Sequence, residues 1–152
     1  MILTQILEPT SVKVPLEGAN KEEAITALVD LLAENKQLDD RDNVLDAVLK
    51  REQTRSTGIG SGIAIPHGKC GGVKSLTMAI GISKEGFEFD SVDGKKVYII
   101  VLIASPADRT GPHIQALARI SRLMLDEDFK NGLQNSTTAE EAYKMISDKE
   151  SE

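Results

Sequence analysis

The run Val97-Tyr98-Ile99-Ile100-Val101-Leu102-Ile103-Ala104 holds eight residues without polar alternation. A strand with one wet face alternates apolar and polar side chains, whereas an unbroken β-rich run of this length belongs to a strand covered on both faces. Helices must therefore pack on both sides of a sheet that contains it. The run is far short of the ~20 apolar residues needed to cross a bilayer, so no membrane insertion is expected. A second β-rich run, Leu76-Thr77-Met78-Ala79-Ile80-Gly81-Ile82, precedes it, and Asp93-Gly94 supplies the turn that introduces the central strand.

The flanking segments carry the helices. Asn20 followed by Glu23 is a helix start, with Ala24, Leu28, Leu31 and Leu32 marking one buried face. A second helix is predicted from about Asp42 to Thr54, where Val44, Ala47, Val48 and Arg51 share a stripe. The glycine-rich stretch from Ser56 to Gly68 includes Pro66 and reads as short strands joined by tight turns. A helix follows Pro112, with Ile114, Leu117, Ala118, Ser121 and Leu125 giving its period. A short helix comes next from about Asp128, and Thr138 with Glu141 caps a last one through Ile146, leaving the charged tail Asp148 to Glu152 frayed. This order predicts an α/β fold, a mixed central β-sheet sandwiched between helices, with residues 1–152 forming one domain.

Composition narrows the function. With 18 Lys plus Arg against 24 Asp plus Glu, the net charge of −6 argues against binding nucleic acid, whose affinity comes from clustered cations. No Trp, three Phe and two Tyr leave few platforms for stacking bases or sugar rings. The single Cys70 excludes an intrachain disulfide and suits a reducing compartment, and Met1 to Gln5 carry no signal-peptide pattern, so a cytoplasmic protein is expected.

Only two histidines occur, His67 after Ile63-Ala64-Ile65-Pro66 and His113 after Gly111-Pro112, each where a strand-like segment gives way to a loop. Strand ends of α/β sheets hold ligand sites. An arbitrary loop histidine is more often a solvated surface group, but Pro66 fixes the backbone before His67 and Gly68 lets the chain turn away, which braces an open imidazole. Histidine suits proton transfer and nucleophilic attack. A ring phosphorylated on nitrogen would need donors around the dianion, and Arg51, a His113 N–H and backbone amides are candidates. Other sites fit worse. Gly58, Gly60 and Gly62 lack the dinucleotide spacing, and Gly62 to Lys69 has five intervening residues where a P-loop has four, with Cys70 in place of Ser or Thr. Cys70 beside His67 lacks a third orienting residue, and two histidines without clustered carboxylates or thiols make a poor zinc set, so neither metal nor cofactor is implied.

Arg51-Glu52, the block from Ser56 through His67 to Lys69, Phe89-Asp90-Ser91-Val92-Asp93-Gly94, Pro112-His113 and Ala116 to Leu123 resemble the signature of enzyme IIA of the mannitol–fructose class. That family belongs to the bacterial phosphoenolpyruvate-dependent phosphotransferase system, and the likeness runs over nearly the whole chain. It implies that His67 is the phosphorylated nucleophile and His113 its supporting partner. It also implies that Arg51, sixteen positions before His67, binds the phosphoryl group. The implied donor is phospho-HPr or a nitrogen-type HPr, and the implied acceptor is a IIB domain or a regulated target protein. A chain without fused IIB, IIC or HPr segments favours the nitrogen-type regulatory branch, with a sugar-specific fructose or mannitol component as the alternative. A pure interaction module whose histidines take no phosphate is the rival from another class. Partner docking calls for an apolar rim around a shallow cleft, with Ile59, Ile63 and Ile65 as candidates if exposed; buried strand positions are an equal reading for them.

Overall fold

The computed structural model describes residues 2–152; Met1, from which the leaderless reading starts, lies outside them. A short 3-10 turn, Leu3–Gln5, leads into β1 (Leu7–Lys13), α1 (Lys21–Glu34), α2 (Arg41–Thr54), β2 (Gly58–Gly60), β3 (Ile63–Ala64) and β4 (His67–Cys70). The chain continues through β5 (Thr77–Phe87), β6 (Val97–Pro106), α3 (Thr110–Leu123), α4 (Glu127–Gln134) and α5 (Ala139–Glu150). The sheet has 6 strands in the order β1-β5-β6-β3-β2, with β4 also paired to β6. Pairing is parallel for β1 with β5 and for β3 and β4 with β6, and antiparallel for β5 with β6 and β2 with β3, so the sheet is mixed as expected. Among the described residues no helix is long and apolar enough to cross a membrane.

Strand β6 explains its own sequence. Ile99, Val101 and Ile103 enter one core with Ala116 and Ile120 of α3, Phe129 and Leu133 of α4, and Ala142 and Ile146 of α5. Ile100, Leu102 and Ala104 enter a second core with Ala24, Ile25, Leu28 and Leu32 of α1 and Val44 and Val48 of α2. Both faces of the strand are dry, which is why polar alternation is absent. The predicted caps form as read: Asn20 Oδ1 accepts from the Glu23 amide at 2.9 Å and Thr138 Oγ1 from the Glu141 amide at 3.1 Å.

Four expectations are corrected. Strand β1 was not anticipated, because Pro9 interrupts it and only Leu7, Ser11 and Val12 are buried; an edge position tolerates the missing N–H, and the pairing with β5 shifts register between Leu7 and Val12. Strand β5 runs on to Phe87, five residues past the predicted end at Ile82. Helix α3 begins before Pro112, ends at Leu123 and buries His113, Ala116, Ile120 and Leu123; of the residues read as its period, Ile114 is exposed, Leu117 is only partly buried and Leu125 lies exposed beyond its end. The C-terminal tail is helical through Glu150, whose carboxylate accepts the Leu3 amide at 2.6 Å and the Thr4 amide at 3.1 Å and meets Arg119 Nε at 3.4 Å. Those free amides of a first turn need an acceptor, and Glu150 is fixed by supplying it.

Gly68 has a different role from the turn expected of it. It lies inside β4, and a Cβ there would meet the Val48 nitrogen of α2 at 3.1 Å and the Ala47 carbonyl carbon at 3.2 Å. The missing side chain lets the α2 backbone rest directly on the strand that begins with His67, which sets the helix carrying Arg51. Gly68→Ala is expected to destabilise the chain by about 1–3 kcal/mol through overpacking against backbone that cannot rotate away. Urea unfolding measures this, and an unchanged midpoint would mean that α2 is free to shift.

Candidate active site

Strands β3 and β4 lie along the same edge of β6, Ile63 and Ala64 beside Ile99 and Ile100, and His67 to Cys70 beside Ile103 to Pro106. Between them the chain leaves the ladder at Ile65-Pro66. Pro66 has no N–H to offer but its carbonyl accepts the Ile103 amide at 3.0 Å, while the Ile65 amide turns to the Thr57 carbonyl at 3.1 Å. His67 is the first residue after this break, and its Nδ1 sits 2.7 Å from the Ile65 carbonyl. A carbonyl only accepts, so Nδ1 carries the proton, and in the neutral ring Nε2 keeps its lone pair.

The cleft lined by His67 has a volume of about 280 Å³ and is also lined by Arg51, Arg55, Thr57, Gly58, Ile59 and Leu117. Arg51 stands in the last turn of α2, where its Nη1 donates to the Arg55 carbonyl at 2.8 Å. His113, in the first turns of α3, is 5 % exposed and meets the His67 ring edge to face, with centroids 5.2 Å apart. Its Nδ1 lies 2.7 Å from Ser105 Oγ on the fully buried end of β6. Lys69, two residues along β4, reaches Thr110 Oγ1 at 3.3 Å at the start of α3. The structure thus brings Arg51 and His67 to one opening where α2, β4 and α3 converge, with His113 buried against the His67 ring beside it.

Burial holds the His67 ring below its ordinary pKa against the opposing pull of the Ile65 hydrogen bond, and the nearby Arg51 adds to the lowering. His113 is pushed down to about 4, by burial first and then by His67 and Lys69. Both rings are therefore neutral at pH 7. The stability that the neutral buried His113 contributes is fully present above the unfolded value of 6.5 and is lost as pH falls toward about 4, because the unfolded chain takes up the proton first. His113→Gln is expected to flatten this loss, making the wild type lose about 1.5 kcal/mol more than the variant between pH 6.5 and 5. Denaturant melts at the two pH values check it, and equal losses would show that His113 does not titrate on unfolding.

Two groups escaped the sequence reading. Glu52, 5 % exposed, accepts from the Thr57 amide at 3.0 Å and the Thr57 hydroxyl at 2.5 Å, and its Oε2 meets Lys21 Nζ at 3.3 Å. It ties the end of α2 to the start of β2 and so fixes the loop beside Arg51. Ser105 lies one residue beyond the apolar run from Val97 to Ala104 that marks the central strand. Ser105 carries no sequence signal and Glu52 entered only within the block that carries the resemblance, because the partners of both are reached through the fold. The apolar rim is also redrawn: Ile63 and Ile65 are buried, while Ile59 is 48 % exposed, exposed Val92 lines the cleft with it, and Ile114 is exposed on α3 one turn from the cleft-lining Leu117. Ile114 and Leu117 lie three residues apart on α3, and Leu117 packs against the core while lining the cleft, so this side of α3 borders the site. Cys70 stands three residues from His67 in β4, on the opposite face of the strand, which removes the thiol–imidazole pair.

The family model for "Phosphoenolpyruvate-dependent sugar phosphotransferase system, EIIA 2" matches residues 5–149. The fructose-specific EIIA component of Haloferax volcanii is 42% identical over 115 residues, covering 76% of this chain and 75% of that protein. The fructose-specific EIIABC component of Bacillus subtilis is 36% identical over 133 residues, 88% of this chain; the match spans only 21% of that longer protein. The crystal structure of nitrogen regulatory protein IIA-Ntr from Neisseria meningitidis superposes with a TM-score of 0.81 at 28% identity, covering 93% of this chain and 97% of that one.

Proposed function

The chain belongs to the EIIA 2 family of the phosphoenolpyruvate-dependent sugar phosphotransferase system, and on that premise we propose that His67 Nε2 is the atom that carries its phosphoryl group. The observation that carries this reading is the Nδ1–H bond to the Ile65 carbonyl, which leaves Nε2 as the nucleophilic nitrogen of a neutral ring. The donor is a phosphohistidine of HPr or a nitrogen-type HPr. The Nε2 lone pair forms a P–N bond as the P–N bond to the donor ring breaks, and the donor nitrogen keeps the electron pair. The His67 ring gains positive charge in that step, and the Ile65 carbonyl stabilises it through the retained Nδ1–H. Arg51 and His113 face the oxygens of the transferring group, so the protein acts mainly by positioning and by charge.

Two acceptors suit the same site. Greater identity to fructose-specific components supports transfer to a IIB domain, and the end-to-end likeness to a nitrogen regulatory protein supports a regulated target. The exposed Ile59, Val92 and Ile114 offer either partner an apolar rim. Incubation with phosphoenolpyruvate, enzyme I and HPr is expected to give one acid-labile phosphate on His67, located by mass spectrometry. Addition of a fructose-type IIB then discharges it in the transport reading and leaves it in place in the regulatory one. No label with an HPr that charges another IIA would favour the interaction module.

A further inference from the structure

His113 is held at one nitrogen by a residue to which nothing so far gives a part in the reaction. Ser105 is fully buried at the end of β6, and the only hydrogen-bond partner of its Oγ among the described residues is His113 Nδ1, at 2.7 Å. Two proton arrangements are compatible with that distance. If Nδ1–H donated to the serine, the hydroxyl proton would be left without an acceptor in a dry site, and Nε2 would present a lone pair. A hydroxyl buried without an acceptor is unfavourable. If the hydroxyl donates to Nδ1, its proton is satisfied and the single proton of the neutral imidazole goes to Nε2.

We infer that Ser105 is a positioning residue, whose hydroxyl donates to His113 Nδ1 and thereby sets the ring tautomer that offers an Nε2–H to the phosphoryl group on His67. The inference rests on the carrier reading for its last clause, while the tautomer stands by itself in the unphosphorylated chain. The two histidines are set in opposite senses by different neighbours. A main-chain carbonyl puts the proton of His67 on Nδ1 and leaves a nucleophile, and a side-chain hydroxyl puts the proton of His113 on Nε2 and makes a donor. Their rings meet edge to face at 5.2 Å, close enough for one to serve a group bound to the other. The Arg51 guanidinium has several N–H donors whatever its neighbours, so His113 is the member of the site whose donor depends on a neighbour.

The test is long-range proton–nitrogen NMR on the full chain labelled with nitrogen-15, in the wild type and in Ser105→Ala, with transfer from phospho-HPr timed in both. The wild type is expected to show His113 in a single tautomer, protonated at Nε2. Ser105→Ala is expected to mix the two tautomers and to slow transfer about tenfold, while still placing the phosphate on His67. A merely structural serine would leave the nitrogen shifts unmoved. A wild-type His113 protonated at Nδ1, or a variant with unchanged tautomer, overturns the inference. Absence of label on wild-type His67 overturns the carrier reading instead, whatever tautomer His113 shows.

Discussion

His67→Ala is expected to abolish acid-labile phosphorylation altogether, with the fold intact. The substitution removes the Nε2 nucleophile, and His113 cannot replace it: that ring is buried, and its Nδ1 is engaged by Ser105. His67 itself is half-buried at the start of β4 and contributes one hydrogen bond to a neighbouring carbonyl, so its loss costs no more than about 1 kcal/mol. The measurement pairs intact-protein mass spectrometry after charging with a thermal melt of the same sample. Label retained at wild-type level in a folded His67→Ala protein would remove the assignment.

The second large effect is expected at Arg51. Arg51→Ala should slow both charging by phospho-HPr and discharge to the acceptor by roughly a hundredfold, because the guanidinium faces the charge that develops on the oxygens in either direction. Symmetry between the two directions distinguishes a residue bound to the transferring group from one that contacts a single partner. Arg51→Lys should recover only part of the rate. The planar guanidinium spends Nη1 on the Arg55 carbonyl and keeps its other N–H groups for the phosphate, whereas an ammonium on a flexible stem has no fixed fork to divide in this way. Rapid-quench measurement of both half-reactions checks the prediction, and a rate within about twofold of the wild type in either direction would exclude a shared role.

The central sheet and its covering helices were legible because they follow from local pattern. An eight-residue apolar run has no other home than a strand between two layers, and Asn20 and Thr138 announce helix starts by their own side chains. The period read for α3 mixes two sides for a physical reason: the buried side includes His113, a polar residue, while Ile114 is exposed, Leu117 lies between core and cleft, and Leu125 is already in the turn beyond the helix. Periodicity cannot tell a core stripe from an apolar rim around a site. Of the candidate site, the residue types Arg51, His67 and His113 were singled out from the sequence and lie near one another in the fold, and the family resemblance is matched by the family model. What orients these residues was not legible. The Ile65 carbonyl is backbone, Ser105 reaches His113 only because β6 and α3 meet at that end, and Glu52 finds Thr57 and Lys21 across separate elements. Gly68 looked like a turn glycine, and its true partner is the backbone of α2.

The single shallow opening at His67 also has a kinetic consequence. In the carrier reading proposed above, donor and acceptor would present their reactive groups to the same nitrogen through the same apolar margin, so neither could dock while the other is seated. The traffic would then be of the ping-pong kind, with parallel lines in double-reciprocal plots, and each discharged partner would compete with the charged form of the other. An excess of uncharged donor would slow delivery as effectively as a shortage of acceptor. The phosphate passing through this protein would accordingly follow the ratio of its two partners, charged to uncharged, more closely than the abundance of either one.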